Sequence, residues 1–207
     1  MEPLKTIEAP AVPLPRANVD TDQLIPARFM QRPRAVGYGP YLLHDFRNGP
    51  QGEKRDNPLD DPRRAGAAVM IARRNFGCGS SREAAVYALQ DFGVRCIVAP
   101  SFGDIFASNA VKNGVLPARV SEADAEALLA SQYVAEGRPV RVDLAAQTLT
   151  AGNLVVAFEV DPVWRAQLLN GWDDIDMTLA EAPAIAQFRA QDLRARPWAA
   201  PAAEEAP

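Results

Sequence analysis

Apolar positions recur along the chain in several different rhythms. From Lys5 to Leu14 a short extended run mixes apolar and polar residues, which predicts a strand. Between Pro26 and Pro62, Pro and Gly break every candidate period, so no helix is predicted there. The first third therefore reads as strands plus a long loop. A loop as long as Arg28 to Arg64 inside a compact domain is either a lid or binding segment, or plain disorder.

The rhythm becomes regular after Ala67. Ala67 to Ala72 predicts a short buried strand, and Ala85, Val86, Leu89 and Phe92 then fall at helical spacing. Arg95 to Ala99 predicts the next strand. Ser101 with Asp104 has the spacing of a capping box, opening a helix that Asn113-Gly114 closes; Ser121 with Asp124 repeats the device before Ala125 to Ser131. The centre thus runs β-α-β-α. Val140 to Leu144 and Leu154 to Val160, flanking Ala151-Gly152-Asn153, predict a hairpin, so the sheet is mixed. Asp161-Pro162 starts a helix that Gly171 caps, and Thr178 with Glu181 starts a last helix ending near Pro197. One domain over residues 1–195 is expected, with a disordered tail from 196 to 207.

Composition narrows the function. With 207 residues, 48% of them hydrophobic, the chain can bury one good core. A net charge of -4 leaves no basic excess for nucleic acid or anionic membrane, so a small solute or another protein is the better partner. No apolar run approaches the roughly 20 residues that cross a bilayer. Two cysteines, Cys78 and Cys96, and no basic-then-apolar leader point to the cytoplasm. Two cysteines and one histidine supply neither a zinc site nor the usual ligands of an iron–sulfur cluster. This chain is expected to bind no metal itself, and any such cofactor comes from elsewhere.

Chemistry concentrates in Asn75-Phe76-Gly77-Cys78-Gly79-Ser80-Ser81-Arg82-Glu83, which joins a strand end to a helix start. Its glycines permit a tight turn and close approach of a ligand. Helix-start N–H groups, two hydroxyls and the Arg82 guanidinium together suit a carboxylate or phosphate. The stretch is neither a P-loop nor a dinucleotide fingerprint nor a nucleophile elbow. Cys78 has two readings: a thiol activated by the helix start, or a small side chain filling a crowded turn. Ser80 and Ser81 either cap the helix or bind and react. Cys96 belongs to the core. A second stretch, Asn18 to Pro26, puts Asp20 and Asp22 around Thr21; these acids either make an Asx turn or orient Arg82 or a loop arginine.

Asp20-Thr21-Asp22 with Ile25-Pro26, then Asn75 to Glu83, then Ala99 to Phe106 with Asn109 and Gly114-Val115-Leu116-Pro117 occur in the order of a known family. The chain, over about residues 4 to 195, closely resembles the small subunits of 3-isopropylmalate dehydratases in the aconitase superfamily. The resemblance implies a swivelling β/β/α domain with a mixed sheet and flanking helices, closing over a large subunit that holds a [4Fe-4S] cluster. It implies a hydro-lyase that interconverts 2-isopropylmalate and 3-isopropylmalate in leucine biosynthesis. Under it Ser80 is the base, as an alkoxide, while Ser81 and Arg82 hold substrate carboxylate. Thr21 and Asp22 support the site, as do Asn75, Gly77 and Gly79. The loop within 28–64 contacts the substrate's variable group, with Arg28, Arg32 and Arg34 as candidate carboxylate contacts.

One position departs from the pattern. The family commonly reads His-Ala-Pro after Ser-Arg-Glu, and this chain has Ala84-Ala85-Val86. A second reading therefore keeps the reaction and changes the diacid to a citraconate or methylmalate type. A third, from another class, is a non-catalytic carboxylate-binding module.

Overall fold

Two prolines set the architecture of the sheet. In the computed structural model, which describes residues 1–199, strand β1 (Thr6–Leu14) serves two partners in succession. Its first half, Thr6 to Pro10, pairs antiparallel with β5 (Pro139–Asp143), and Pro10 lies opposite Pro139. Neither residue has an N–H to give, and the ladder stops there. From Ala11 to Leu14 the same strand pairs parallel with β2 (Val69–Ala72). The result is one seven-stranded sheet, β4-β3-β2-β1-β5-β6-β7, parallel on one side of β1 and antiparallel on the other.

On the parallel side, β3 (Cys96–Ala99) follows β2, and every residue of both strands is buried. Side-chain alternation divides them between two cores. Met70, Ala72, Ile97 and Ala99 join the cluster under α3 (Glu83–Phe92) and α4 (Asp104–Lys112), whereas Val69, Ile71, Cys96 and Val98 join the cluster on the opposite face with α5 (Glu122–Leu129). Each buried aliphatic chain contributes about 1.5–3 kcal/mol, so a one-residue slip would forfeit both cores together. The edge strand β4 (Leu116–Arg119) was not expected from the sequence, because Pro117 demotes it. At an edge the missing donor costs nothing.

The antiparallel side corrects the expected hairpin. Between Asp143 and Leu154 lies a further strand, β6 (Thr148–Ala151), so β5, β6 and β7 (Leu154–Ala157) form a three-stranded meander. The predicted turn is real but joins β6 to β7. Beyond β7 the chain returns to the far edge: Arg119 and Glu159 exchange backbone hydrogen bonds of 2.9 and 2.7 Å and a side-chain bond of 2.6 Å. The curled sheet is stapled edge to edge at this point.

The proline-rich stretch is ordered. After the short helix α1 (Thr21–Leu24), the expected long loop carries single 3-10 turns at Ala27–Phe29, Arg34–Val36, Gly39–Tyr41 and Pro62–Arg64 and the short helix α2 (His44–Arg47). Two buried arginines fasten it. Arg47 binds Asp60 and the carbonyl of Leu42, and Arg64 binds the carbonyls of Ala11, Val134 and Ala135. Val134 and Ala135 lie in the short helix α6 (Gln132–Ala135).

Of the predicted helix starts, Ser121 caps α5, and Asp161 with Pro162 opens α7 (Pro162–Asn170), closed by Gly171. Ser101 is not a cap: α4 starts from Gly103 without a side-chain cap. The chain gathers into two compact units, Met1–Gly171 and Trp172–Pro207. In the second, Asp173 and Asp176 cap each other's backbone to start α8 (Asp174–Ala180), and α9 (Ala182–Ala195) follows. The expected helix start at Thr178 therefore falls inside α8, where its hydroxyl donates to the carbonyl of Asp174 at 3.0 Å. Of the tail expected over 196–207, residues 200–207 lie outside the described residues.

Candidate active site

The three sequence blocks meet beyond the ends of β1, β2 and β3. Short parallel bridges link Asp20 with Cys78 and Phe76 with Phe102, so the loop from Asn75 to Arg82 is held between two neighbours as a strand is held in a sheet. Gly77 N–H donates to Val19, Thr21 N–H to Cys78, Phe76 N–H to Ser101 and Gly103 N–H to Phe76, all between 2.7 and 3.0 Å. Asn75 has a left-handed backbone (φ 60°), a conformation that asparagine tolerates better than most residues. Its N–H donates to the Ser101 hydroxyl at 2.8 Å and its side-chain amide to Asn18 at 2.8 Å. The hydroxyl expected to cap α4 is spent here instead.

Two glycines are required by contact. A Cβ on Gly77 would sit 2.1 Å from the Phe106 ring, and one on Gly79 2.5 Å from the Asp20 carboxylate, at φ 72° and 92° respectively. With these residues the backbone folds tightly over the start of α1 and delivers the next three side chains outward.

Those three are Ser80, Ser81 and Arg82. Ser80 and Ser81 are exposed, and neither hydroxyl has a hydrogen-bond partner among the described residues. The capping alternative does not hold, because the N-cap of α3 is Arg82, without a side-chain bond. The Ser80 backbone is fixed from below: the buried Thr21 donates its hydroxyl to the Ser80 carbonyl at 2.9 Å. The Arg82 guanidinium donates to the Asp22 carboxylate, so of the two sequence alternatives for this acid the fold realises the orienting one. Asp20 caps α1 in a reciprocal box with Gln23. Thr21, Gly79, Ser80, Ser81, Arg82 and Asp104 line a cleft of about 270 Å³. The first N–H groups of α3 lack intrahelical acceptors by geometry and add positive potential there.

Cys78 is a poor nucleophile. Burial, and then the nearby Asp20 carboxylate, push its thiol above the ordinary range. Cys96 is fully buried and is raised further by desolvation. Among the described residues no group of three or more His, Cys, Asp or Glu side chains is placed to hold a metal. With one thiol in a strand interior and the other alone, the donor set does not fit an iron–sulfur cluster.

The loop arginines lie apart from this cleft, none of them lining it. Arg28 donates to Asp45, with one bond of 3.0 Å, and this bond holds the Asp45 carboxyl down to about 2. Arg34 makes a bidentate pair with Asp91 at 2.7 and 2.9 Å and stacks on Tyr87. Arg32 lies over the Tyr41 ring, 5.2 Å from its centroid, with no carboxylate partner among the described residues. The sequence reading quoted Asn18, Ser101 and Asp104 within its motif blocks but gave none of them a role at the site. The tolerance of asparagine for left-handed backbone was the available signal at Asn18, whose φ is 55°.

A mixed sheet carrying a glycine-rich loop with free serines at a helix start defines the aconitase C-terminal-domain class. The family model described as the aconitase C-terminal domain matches residues 1–123, and the model described as LeuD_N matches 126–162. A crystal structure of 3-isopropylmalate dehydratase from Methanocaldococcus jannaschii superposes with a TM-score of 0.63 at 23% identity, covering 89% of this chain and 99% of that one.

More specifically, the chain belongs to the 3-isopropylmalate dehydratase small-subunit family. It is 48% identical over 194 residues to the small subunit from Bacillus licheniformis, covering 92% of this chain and 96% of that one. It is 44% identical over 196 residues to the one from Teredinibacter turnerae, covering 90% and 91%.

Proposed function

We propose that this chain is the small subunit of a hydro-lyase that interconverts 2-isopropylmalate and 3-isopropylmalate in leucine biosynthesis, with Ser80 as its base. The observation that carries this reading is the pair of hydroxyls, without partners among the described residues, beside an anchored guanidinium at the start of α3. A small subunit implies a large-subunit partner. The [4Fe-4S] cluster is assigned to that partner, because the donors of this chain do not fit one.

The chemistry asks for these residues. The proton lies next to a carboxylate and is weakly acidic, so it needs a strong base and fixed positive partners for the developing charge. The Ser80 oxygen, as alkoxide, takes that proton; the C–O bond on the adjacent carbon breaks, and the hydroxide leaves and takes a proton from solvent to become water, a proton given back to solvent when water adds. Addition of water in the opposite sense returns the proton from Ser80 to carbon and gives the isomer. The end of the α3 dipole and the Arg82 charge both favour the alkoxide. Asp22 offsets part of that charge, and its contribution is orientation. One edge of the guanidinium is held while the other stays available for a substrate carboxylate, with the Ser81 hydroxyl as an added donor.

Replacing Ser80 by Ala in the complex reconstituted with the large subunit tests this. The expected loss is at least about 10³-fold in kcat with assembly unchanged. Formation of the unsaturated acid at the wild-type rate would overturn the role of Ser80. Ala84, half-buried against the core under α3, favours one variant reading in which the alkyl group of the diacid differs. A series of alkyl-substituted malates compared by kcat/KM separates the two.

A further inference from the structure

We infer that the wide cleft beside the Ser80 site is a docking surface for the large subunit, and that it receives a basic segment with an apolar side chain at its centre. The inference rests on the reading above, in which a second polypeptide closes the catalytic cleft. The wide cleft, of about 840 Å³, is lined by Phe102, Asp104, Arg119, Glu159, Asp161 and Trp164, among others. It adjoins the catalytic cleft, since Asp104 lines both. A subunit broad enough to cover Ser80 meets it.

Its charge argues against the substrate as occupant. Three carboxylates and one guanidinium line it, a net negative wall: Glu159 and Arg119 pair at 2.6 Å, Asp161 accepts from the Val163 and Trp164 N–H groups, and Asp104 is left over. A dianion is repelled by this wall, whereas Lys or Arg side chains complement it. Asp104 has no side-chain partner among the described residues. The apolar part has the composition of an interface centre. Trp164 is half-buried in the cleft, and two exposed large hydrophobics are chain neighbours of its lining residues: Ile105, 56% exposed, follows Asp104 and lines the adjoining catalytic cleft, and Val163, 54% exposed, precedes Trp164. Aromatic anchors surrounded by polar rims carry most of the affinity in such contacts.

The test titrates the full chain into its cluster-bearing large subunit, recording Kd by calorimetry and kcat at saturating partner. Trp164→Ala and Glu159→Lys are each expected to weaken assembly by at least about tenfold, with kcat at saturation within about twofold of the parent. The Glu159→Lys loss should shrink as salt rises. Because Glu159 also staples the sheet, the exchange Arg119→Glu with Glu159→Arg supplies a control that keeps both the pair and the net charge. It should bind within about threefold of wild type. Wild-type affinity for both single variants would overturn the docking assignment and leave the catalytic reading standing. Self-association of the isolated chain that Trp164→Ala abolishes would give the cleft to a second copy and also overturn it. Absence of assembly and turnover with the wild-type chain would overturn the catalytic reading, and the docking assignment with it.

Discussion

The loop from Asn75 to Arg82 and the arginine-rich stretch from Arg28 to Arg64 divide polar satisfaction in opposite ways. In the first, the backbone is tied to neighbouring segments through the N–H groups of Asn75, Phe76 and Gly77 and the carbonyls of Phe76, Cys78 and Ser80, while the hydroxyls of Ser80 and Ser81 have no partner among the described residues. In the second, the side chains do the tying: Arg28 to Asp45, Arg34 to Asp91, Arg47 to Asp60 and Arg64 to three carbonyls. In that stretch, guanidiniums paired with carboxylates that do not line the catalytic cleft serve as structural parts. Reactive capacity therefore sits where the main chain is over-determined and the side chains are not, which is the geometry preorganised catalysis needs.

The sharpest way to break this contrast is Arg82→Lys. Lysine keeps the charge but loses the fork that meets Asp22 and a substrate carboxylate together, so kcat/KM in the reconstituted complex should fall about 10²–10³-fold. A change below threefold would move the chemistry elsewhere. On the other side, Arg47→Ala should lower unfolding free energy by about 1–3 kcal/mol, since it removes a buried guanidinium from the carbonyls of Pro40 and Leu42 and from the partly exposed Asp60 carboxylate. Urea titration measures that, and kcat of the folded fraction should stay near wild type.

A smaller effect sharpens the comparison within the first region. Thr21→Val removes the hydroxyl under the Ser80 carbonyl, and kcat should drop about tenfold as positioning loosens, with KM changing less. The smallest effect concerns pH. Arg28 holds the Asp45 carboxyl down to about 2, against an ordinary 3.8. A depressed carboxylate contributes stability above its unfolded value, and that contribution is lost as pH falls from about 4 toward 2. With Asp45 59% exposed, solvent screens most of it. Arg28→Ala should therefore return the Asp45 titration, followed by NMR, toward its ordinary value while melting near neutral pH hardly moves.

Legibility in the sequence followed how local the deciding physics was. β2, β3 and α3, and the caps at Ser121 and Asp161, were readable, since apolar period and capping chemistry act within a few residues. The grouping of Thr21, Asp22, Gly79 and Ser80 to Arg82 was readable through motif order. The fate of the Ser101 hydroxyl was not, because its partner lies 26 residues away and its spacing to Asp104 imitates a cap. β6 escaped notice because the Leu144-Ala145-Ala146-Gln147 segment before it blurs the alternation. The arginines of the first third were chemically suggestive in isolation. Only the fold shows which of them are paired with carboxylates and which are not.

The staple between Arg119 and Glu159 carries a kinetic corollary. Its two residues are 40 positions apart and hold their seam by a single short bridge, so the ring is shut by a contact with a long intervening segment and little local reward. Joining of the two ends should come late on the folding route, after the meander and the β-α-β units have formed by themselves. The amides of Arg119 and Glu159 would then exchange with deuterium sooner than those of β2 and β3.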